Sequence, residues 1–195
     1  MSVVSEEFKE RYLSNNEHPM QFTARAIIFD GPEHYHNEIN NLELNIDEDC
    51  ILMIRGCGPI GYPGSAEVVN MQPPDHLLKK GITALPCLGD GRQSGTSESA
   101  SILNVSPEAA AGGRLSIIEN NDMIKVDLIN KRVDVMLDES TIEGRMKKSK
   151  FKYPDNQTPW QEIAREYTGQ LSDGACIDTK EKYFDVANTK GIPRD

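Results

Sequence analysis

Apolar residues fall along this chain in short runs separated by glycine, proline and asparagine, a pattern that predicts several strands and few long helices. Residues 24–29 (Ala-Arg-Ala-Ile-Ile-Phe) read as a first strand closed by Asp30-Gly31-Pro32. Residues 51–54 read as a second strand, and 82–88 as a third that runs directly into glycines. Three further strands are expected at 115–118, 123–128 and 132–137. In the last two, Val126, Leu128, Val133, Val135 and Leu137 alternate with polar neighbours, as one face of a half-buried sheet requires. Asn120-Asn121-Asp122 and Asn130-Lys131 supply the turns between them.

Short helical segments surround these strands. The polar first 23 residues carry one helical pattern, at Phe8, Tyr12 and Leu13. Residues 34–42 read as a short helix or loop, residues 65–71 as a helix capped by Ser65 and stopped by Pro73-Pro74, and residues 75–80 as another turn or two ended by Gly81. Residues 106–113 combine a hydroxyl cap, a proline at the first helical position, alanines and terminal glycines. A helix starts at Glu139, and Thr158-Pro159 caps another from Trp160 to Tyr167, whose Trp160, Ile163 and Tyr167 are assigned to packing. The sum is a β-rich α/β domain, a barrel or curled sheet with helices outside, spanning 24–195 behind an N-terminal extension, 1–23.

Charge narrows the partners. With 21 basic and 31 acidic residues the net charge is −10, which argues against nucleic acid, since phosphate binding needs a basic surface. The basic run 145–152 reads as a solvated face. No apolar run reaches the ~18–20 residues needed to cross a bilayer. The acidic start lacks a secretory or transit pattern, and Cys50, Cys57, Cys87 and Cys176 form no Cys-x-x-Cys pair, so reduced thiols in a cytoplasmic protein are expected.

Candidate chemistry gathers in two glycine-rich loops, 55–67 and 89–97, each following an apolar run. Glycines let backbone approach a ligand, and exposed amides and hydroxyls there suit an anionic, oxygen-rich small molecule, so the loops read as two walls of one site. Ser94 is the leading candidate functional residue, or else a turn serine bonding its own backbone, and its chemistry is left open by the residues alone. Its loop is neither a hydrolase nucleophile elbow nor a phosphate loop, because the flanking glycine and the lysine those need are missing. Glu67 is a candidate ligand, or else a first-turn acid. His34 and His36 alternate, which would place both on one side of an extended segment as metal ligands, but no third ligand stands at a suitable spacing.

These motifs also carry a resemblance. Arg55-Gly56-x-Gly58-Pro59-x-Gly61-x-Pro63-Gly64-x-x-Glu67, Gly89-Asp90-Gly91-Arg92-x-Ser94-Gly95 and Ser106-Pro107-Glu108-Ala109-Ala110-x-Gly112-Gly113 resemble the C-terminal domain of the dihydroxy-acid and 6-phosphogluconate dehydratase family. The wording of residues 63–71, 93–97 and 158–162 is similar to the branch acting on pentonates and other sugar acids. The resemblance implies an eight-stranded swivelling β-barrel flanked by helices and docked on a larger domain. It implies loss of water from a 2,3-dihydroxy acid to give a 2-keto-3-deoxy acid, with a [2Fe–2S] cluster assisting the leaving hydroxyl and Mg2+ holding the substrate. By motif, Ser94 falls on the base that takes the C2 proton, Gly95 and Thr96 on substrate-contacting positions, and Glu67 on the Mg2+ ligand this domain supplies. The cluster cysteines and other metal ligands belong to the family's N-terminal domain; none of this chain's cysteines matches them. Glu98 and Ala100 depart from the Gly and Pro of close relatives.

The expected function is therefore the base-carrying part of a sugar-acid hydro-lyase, inactive without a cluster-binding N-terminal half or homologous subunit, and self-associating through the surface such a half would cover. A non-catalytic remnant or regulatory binding module, and a fragment of a branched-chain dihydroxy-acid dehydratase, are the alternatives.

Overall fold

The computed structural model describes residues 4–63, 70–92, 101–153 and 158–177. Its framework is a curled sheet of six strands in the order β4-β3-β2-β1-β5-β6. These are β1 (Gln21–Asp30), β2 (Cys50–Arg55), β3 (Cys87–Gly89), β4 (Ser101–Ile102), β5 (Met123–Asp127) and β6 (Arg132–Val135). The first four run parallel, while β5 and β6 form an antiparallel hairpin on the other side of β1. The sheet of the described residues has six strands, where the resemblance implies eight.

Burial on both faces explains why β1 and β2 are continuous apolar runs. Ile27, Phe29, Leu52 and Ile54 point into one core, shared with Phe8, Tyr12, Tyr35, Met71 and Leu77. Ala26, Ile28, Ile51 and Met53 point into a second, shared with Ala109, Leu115, Ile117 and Ile142. In β5 the pattern becomes alternating: Ile124 and Val126 are buried, whereas Met123 is exposed. The hairpin turn holds together because Asp127 accepts hydrogen bonds from the Asn130 backbone and side chain, at 2.9 and 2.7 Å.

Helices fill the crossovers and flanks. The N-terminal helix α1 (Glu6–Phe8) continues as a wider π-helical turn, Lys9–Leu13, and places Phe8, Tyr12 and Leu13 in the first core. Helices α2 (Pro32–Glu38) and α3 (Asp75–Leu78) lie in the β1–β2 and β2–β3 crossovers. Helix α4 (Glu139–Lys148), capped by the Asp138 side chain, buries Ile142 against the second core. Its Arg145 closes on Asp122, which is buried, and on Glu119. Helix α5 (Pro159–Tyr167) starts with a reciprocal Thr158–Gln161 capping box but buries none of its residues, so Trp160 and Ile163 are not the packing residues their spacing predicts.

Three local expectations are overturned. Of residues 82–88 only the last two join the sheet, in β3, because Pro86 has no N–H and offers only its carbonyl, to Leu52 N at 2.9 Å. Residues 115–118 are not a strand: Arg114–Ile117 is a 3-10 turn whose carbonyls face the Arg55 guanidinium. Residues 106–113 are not a regular helix either. Only Ala109–Ala111 turns, because the Glu108 side chain points inward to bind backbone amides, and Gly112 closes the turn in the left-handed region at φ 78°.

Phe8 is 1% exposed, at the centre of the Tyr12–Phe22 ring cluster. Phe8→Ala should therefore lower the unfolding free energy by about 3–5 kcal/mol in urea or guanidinium titration. A loss under about 1 kcal/mol would mean that the N-terminal helix is not part of the core.

Candidate functional site

Parallel strands that run side by side place their C-terminal loops together, which is where α/β sheets form ligand sites. Here Asp30 registers with Arg55 and Ile54 with Gly89, so the loops after β1, β2 and β3 leave from one edge. Arg55 fixes that edge. Its Nε donates to Asp30 Oδ1 at 2.5 Å, and Nη1 donates to the carbonyls of Ser116 and Ile118 at 3.1 and 2.8 Å. A guanidinium suits this task because its fork of donors satisfies several acceptors in one plane.

Two buried carboxylates organise the first glycine loop. Asp90, fully buried, accepts from Gly56 N at 3.0 Å, Cys57 N at 2.9 Å and Ala109 N at 2.9 Å. Glu108, also fully buried, accepts from Ile60 N at 2.9 Å, Gly61 N at 2.8 Å and Gln170 Nε2 at 3.0 Å. Gln170 completes a reciprocal pair by accepting from Glu108 N at 3.0 Å. Burial is the largest influence on Asp90 and lifts its carboxyl above the usual carboxylate range, while its three amide donors favour the charged form.

The glycines of this loop therefore cradle the protein's own carboxylates. A Cβ at Gly58 would stand 2.5 Å from Glu108 Oε2, and one at Gly61 2.7 Å from Gly56 O. The amides of Gly56, Cys57, Ile60 and Gly61, which the sequence reading offered to an anionic ligand, are already engaged internally. Sequence reasoning saw Asp90 and Glu108 only as members of motifs. The signal that could have found them is an acid set beside small residues in loops that leave strand ends.

Asp90 also joins the two glycine loops. Asp90, at the start of the second loop, holds the start of the first, so the two walls expected from sequence adjoin at their stems. The first loop runs on toward Glu67 and the second toward Ser94, Gly95 and Thr96; these four residues, with Glu98 and Ala100, lie outside the described residues. A cavity of about 740 Å3 opens at the same edge, lined by Asp30, Arg55, Tyr62, Lys150 and Phe151 among others. The Phe151 ring covers Gly56, where a Cβ would meet it at 2.7 Å.

The histidine pair does not form a metal site. His34 and His36 lie on α2, where residues two apart point in different directions, and His34 Nδ1 accepts from Asp30 N at 2.9 Å. Among the described residues, no group of three His, Cys, Asp or Glu side chains could hold a metal ion. Three of the four thiols face partners within the protein. Cys50, Cys57 and Cys87 are buried, with Cys50 bonded to Asp47 and Cys57 and Cys87 facing backbone carbonyls. Burial pushes the Cys50 thiol up to about 12 and raises the Cys57 thiol as well.

Removing a buried acceptor strands its donors at about 1–3 kcal/mol each. Glu108→Ala should lower stability by several kcal/mol and speed amide exchange at Ile60 and Gly61. Chemical denaturation with residue-resolved exchange checks this, and an unchanged exchange rate would contradict the geometry.

Residues 11–175 match the family model described as the dihydroxy-acid/6-phosphogluconate dehydratase C-terminal domain. The chain is 56% identical over 186 residues to the D-xylonate dehydratase of Caulobacter vibrioides, covering 95% of this chain and 31% of that protein. It is 41% identical over 129 residues to the L-arabinonate dehydratase of Rhizobium leguminosarum, covering 66% of this chain and 22% of that one. It is 30% identical over 159 residues to a dihydroxy-acid dehydratase of Hydrogenobaculum, covering 81% of this chain and 28% of that one. The chain thus spans about a third or less of each relative's length. With the match covering most of its residues, this chain belongs to the dihydroxy-acid/6-phosphogluconate dehydratase family, as its C-terminal domain.

Proposed function

We propose that this chain is the base-carrying domain of a hydro-lyase that converts a sugar acid, a 2,3-dihydroxy acid, into a 2-keto-3-deoxy acid. The observation that carries the reading is the Asp90 carboxylate, which ties the stem of the Ser94 loop to the stem of the Glu67 loop at one sheet edge. Identity to D-xylonate and L-arabinonate dehydratases supports a pentonate or related aldonate as the substrate class.

In this reading Ser94 removes the proton from C2, the hydroxide leaves from C3, and the enol formed takes up a proton at C3 and gives up the proton of its C2 hydroxyl to become the ketone; the net loss is one water. A serine hydroxyl is a weak base, and each pKa unit of depression needs ~1.4 kcal/mol of differential stabilisation. Thr96 and Gly95 position the substrate beside it. Glu67 is a hard oxygen donor of the kind Mg2+ takes, but one carboxylate makes an incomplete site. No cysteine of this chain matches a cluster ligand of the family by motif, so in this reading the cluster that assists the leaving hydroxyl is held by the family's N-terminal domain.

The test is an assay of D-xylonate dehydration by the purified chain, alone and co-expressed with the part of the Caulobacter enzyme that lies outside the matched region. Turnover is expected only in the pair, and Ser94→Ala should reduce it by at least about 1,000-fold, the scale of losing a reacting group. Robust turnover by the chain alone, or full activity of the Ser94→Ala pair, would refute the proposal.

A further inference from the structure

Beyond α5, residues 168–177 bury none of their side chains, yet their backbone is closely tied. Thr168 bridges Ile177, and Gly169 N donates to the Cys176 carbonyl at 2.9 Å. The Gln170 carbonyl accepts from Asp173 N and Ala175 N at 3.0 and 2.9 Å, and Gly174 closes the 3-10 turn Leu171–Asp173 in the left-handed region at φ 87°. A small hairpin with so little apolar burial draws little stability from packing. What its fixed backbone presents to the rest of the chain is the side chain of Gln170.

That side chain meets Glu108 at both ends. Its Nε2 donates to the Glu108 carboxylate and its Oε1 accepts from Glu108 N, each at 3.0 Å. A carboxamide suits this place because it offers donor and acceptor together in one plane. Two bonds from one rigid group fix the Glu108 backbone and carboxylate at once, and that carboxylate holds the amides of Ile60 and Gly61. From α5, Arg165 Nε takes the Ile60 carbonyl at 2.9 Å, with its guanidinium 4.0 Å from the Tyr153 ring centre. The next residue, Tyr62, donates its N–H to the Gly58 carbonyl at 2.8 Å and lines the cavity at the sheet edge.

We propose that Gln170 is a positioning residue for the reaction proposed above: by orienting Glu108 it holds the Ile60–Tyr62 stretch of the glycine loop in one place against the cavity, with Arg165 securing the same stretch from its carbonyl side. Gln170 acts through Glu108 and not on the substrate. The proposal rests on the reading of this chain as one domain of a dehydratase, but the clasp itself is read without turnover.

Gln170→Ala and Gln170→Glu are compared with the unaltered full chain by residue-resolved amide exchange and, paired with the non-matching part of the Caulobacter enzyme, by D-xylonate turnover. In Gln170→Ala, exchange at Ile60 and Gly61 should quicken by about 10-fold or more, the scale of one hydrogen bond to a charged group, while Gly56 and Cys57, held by Asp90, keep their rates. The kcat of the pair should fall by about 10- to 100-fold at little-changed KM, as when alignment and not binding is lost. Gln170→Glu keeps the shape but can donate to Glu108 only while it carries a proton. A carboxyl beside that carboxylate keeps its proton above the ordinary value of about 4.3, so its contribution is complete below that value and lost as pH rises through the raised one. Relative to the unaltered chain, protection at Ile60 and Gly61 should therefore be greater at about pH 5 than at about pH 8. Asp90 and Cys57, the titratable groups that sense Glu108, are common to all three forms, so the unaltered chain shows their effect. Overturning results are unchanged exchange at Ile60 and Gly61 in Gln170→Ala, an equal rise at all four amides, a Gln170→Glu form without the pH profile, or faster exchange with unchanged kcat. If the unaltered pair turns nothing over while the exchange results hold, the proposed reaction falls and the clasp on the loop stands.

Discussion

Four backbone amides of one glycine loop are satisfied by two buried carboxylates, and the candidate site is built around that fact. A loop that turns its N–H groups inward away from water must give each an acceptor or lose about 1–3 kcal/mol per group. Asp90 and Glu108 come from separate segments, after β3 and before the 3-10 turn at Ala109–Ala111, so meeting this need also fixes three pieces of chain against one another. Glycines at 58 and 61 are required because the carboxylate and the loop's own backbone occupy the space of a side chain.

The sheet supplies the platform. Four parallel strands deliver their loops to one edge, and the Arg55–Asp30 pair closes it while drawing the 114–117 turn across the second core. Both glycine loops therefore start from rigid, doubly buried strands, which is what a site that must hold a substrate to sub-ångström tolerance needs. Further along, helix α5 is tethered to the same loop through Arg165, which donates to the Ile60 carbonyl.

Much of the fold was legible because local pattern and burial agreed. The β1 and β2 cores, the β5–β6 hairpin, the start of α4 at Glu139 and the cap of α5 all follow from residue order alone. Errors arose where a distant polar partner outbid local propensity. Leu115 to Ile118 has a strand's composition, yet its carbonyls turn toward Arg55. Ser106-Pro107-Glu108-Ala109 has a helix start's composition, yet Glu108 is drawn to Ile60 and Gly61, some 47 residues away in sequence. The glycine loops were recognised as special, but sequence could not say whether their amides met a ligand or a side chain; that depends on which acids fold beneath them. The α5 stripe was assigned to packing because spacing reports a shared face and not what covers it.

Amide hydrogen exchange at Gly56, Cys57, Ile60 and Gly61 in the unaltered chain, without substrate or metal, tests this account most directly. If the carboxylates of Asp90 and Glu108 hold these amides, all four exchange only through large-scale unfolding, at rates comparable to the β1 and β2 strands. Rapid exchange at these positions beside protected strands would mean that the loop keeps its amides open to solvent, and would contradict it.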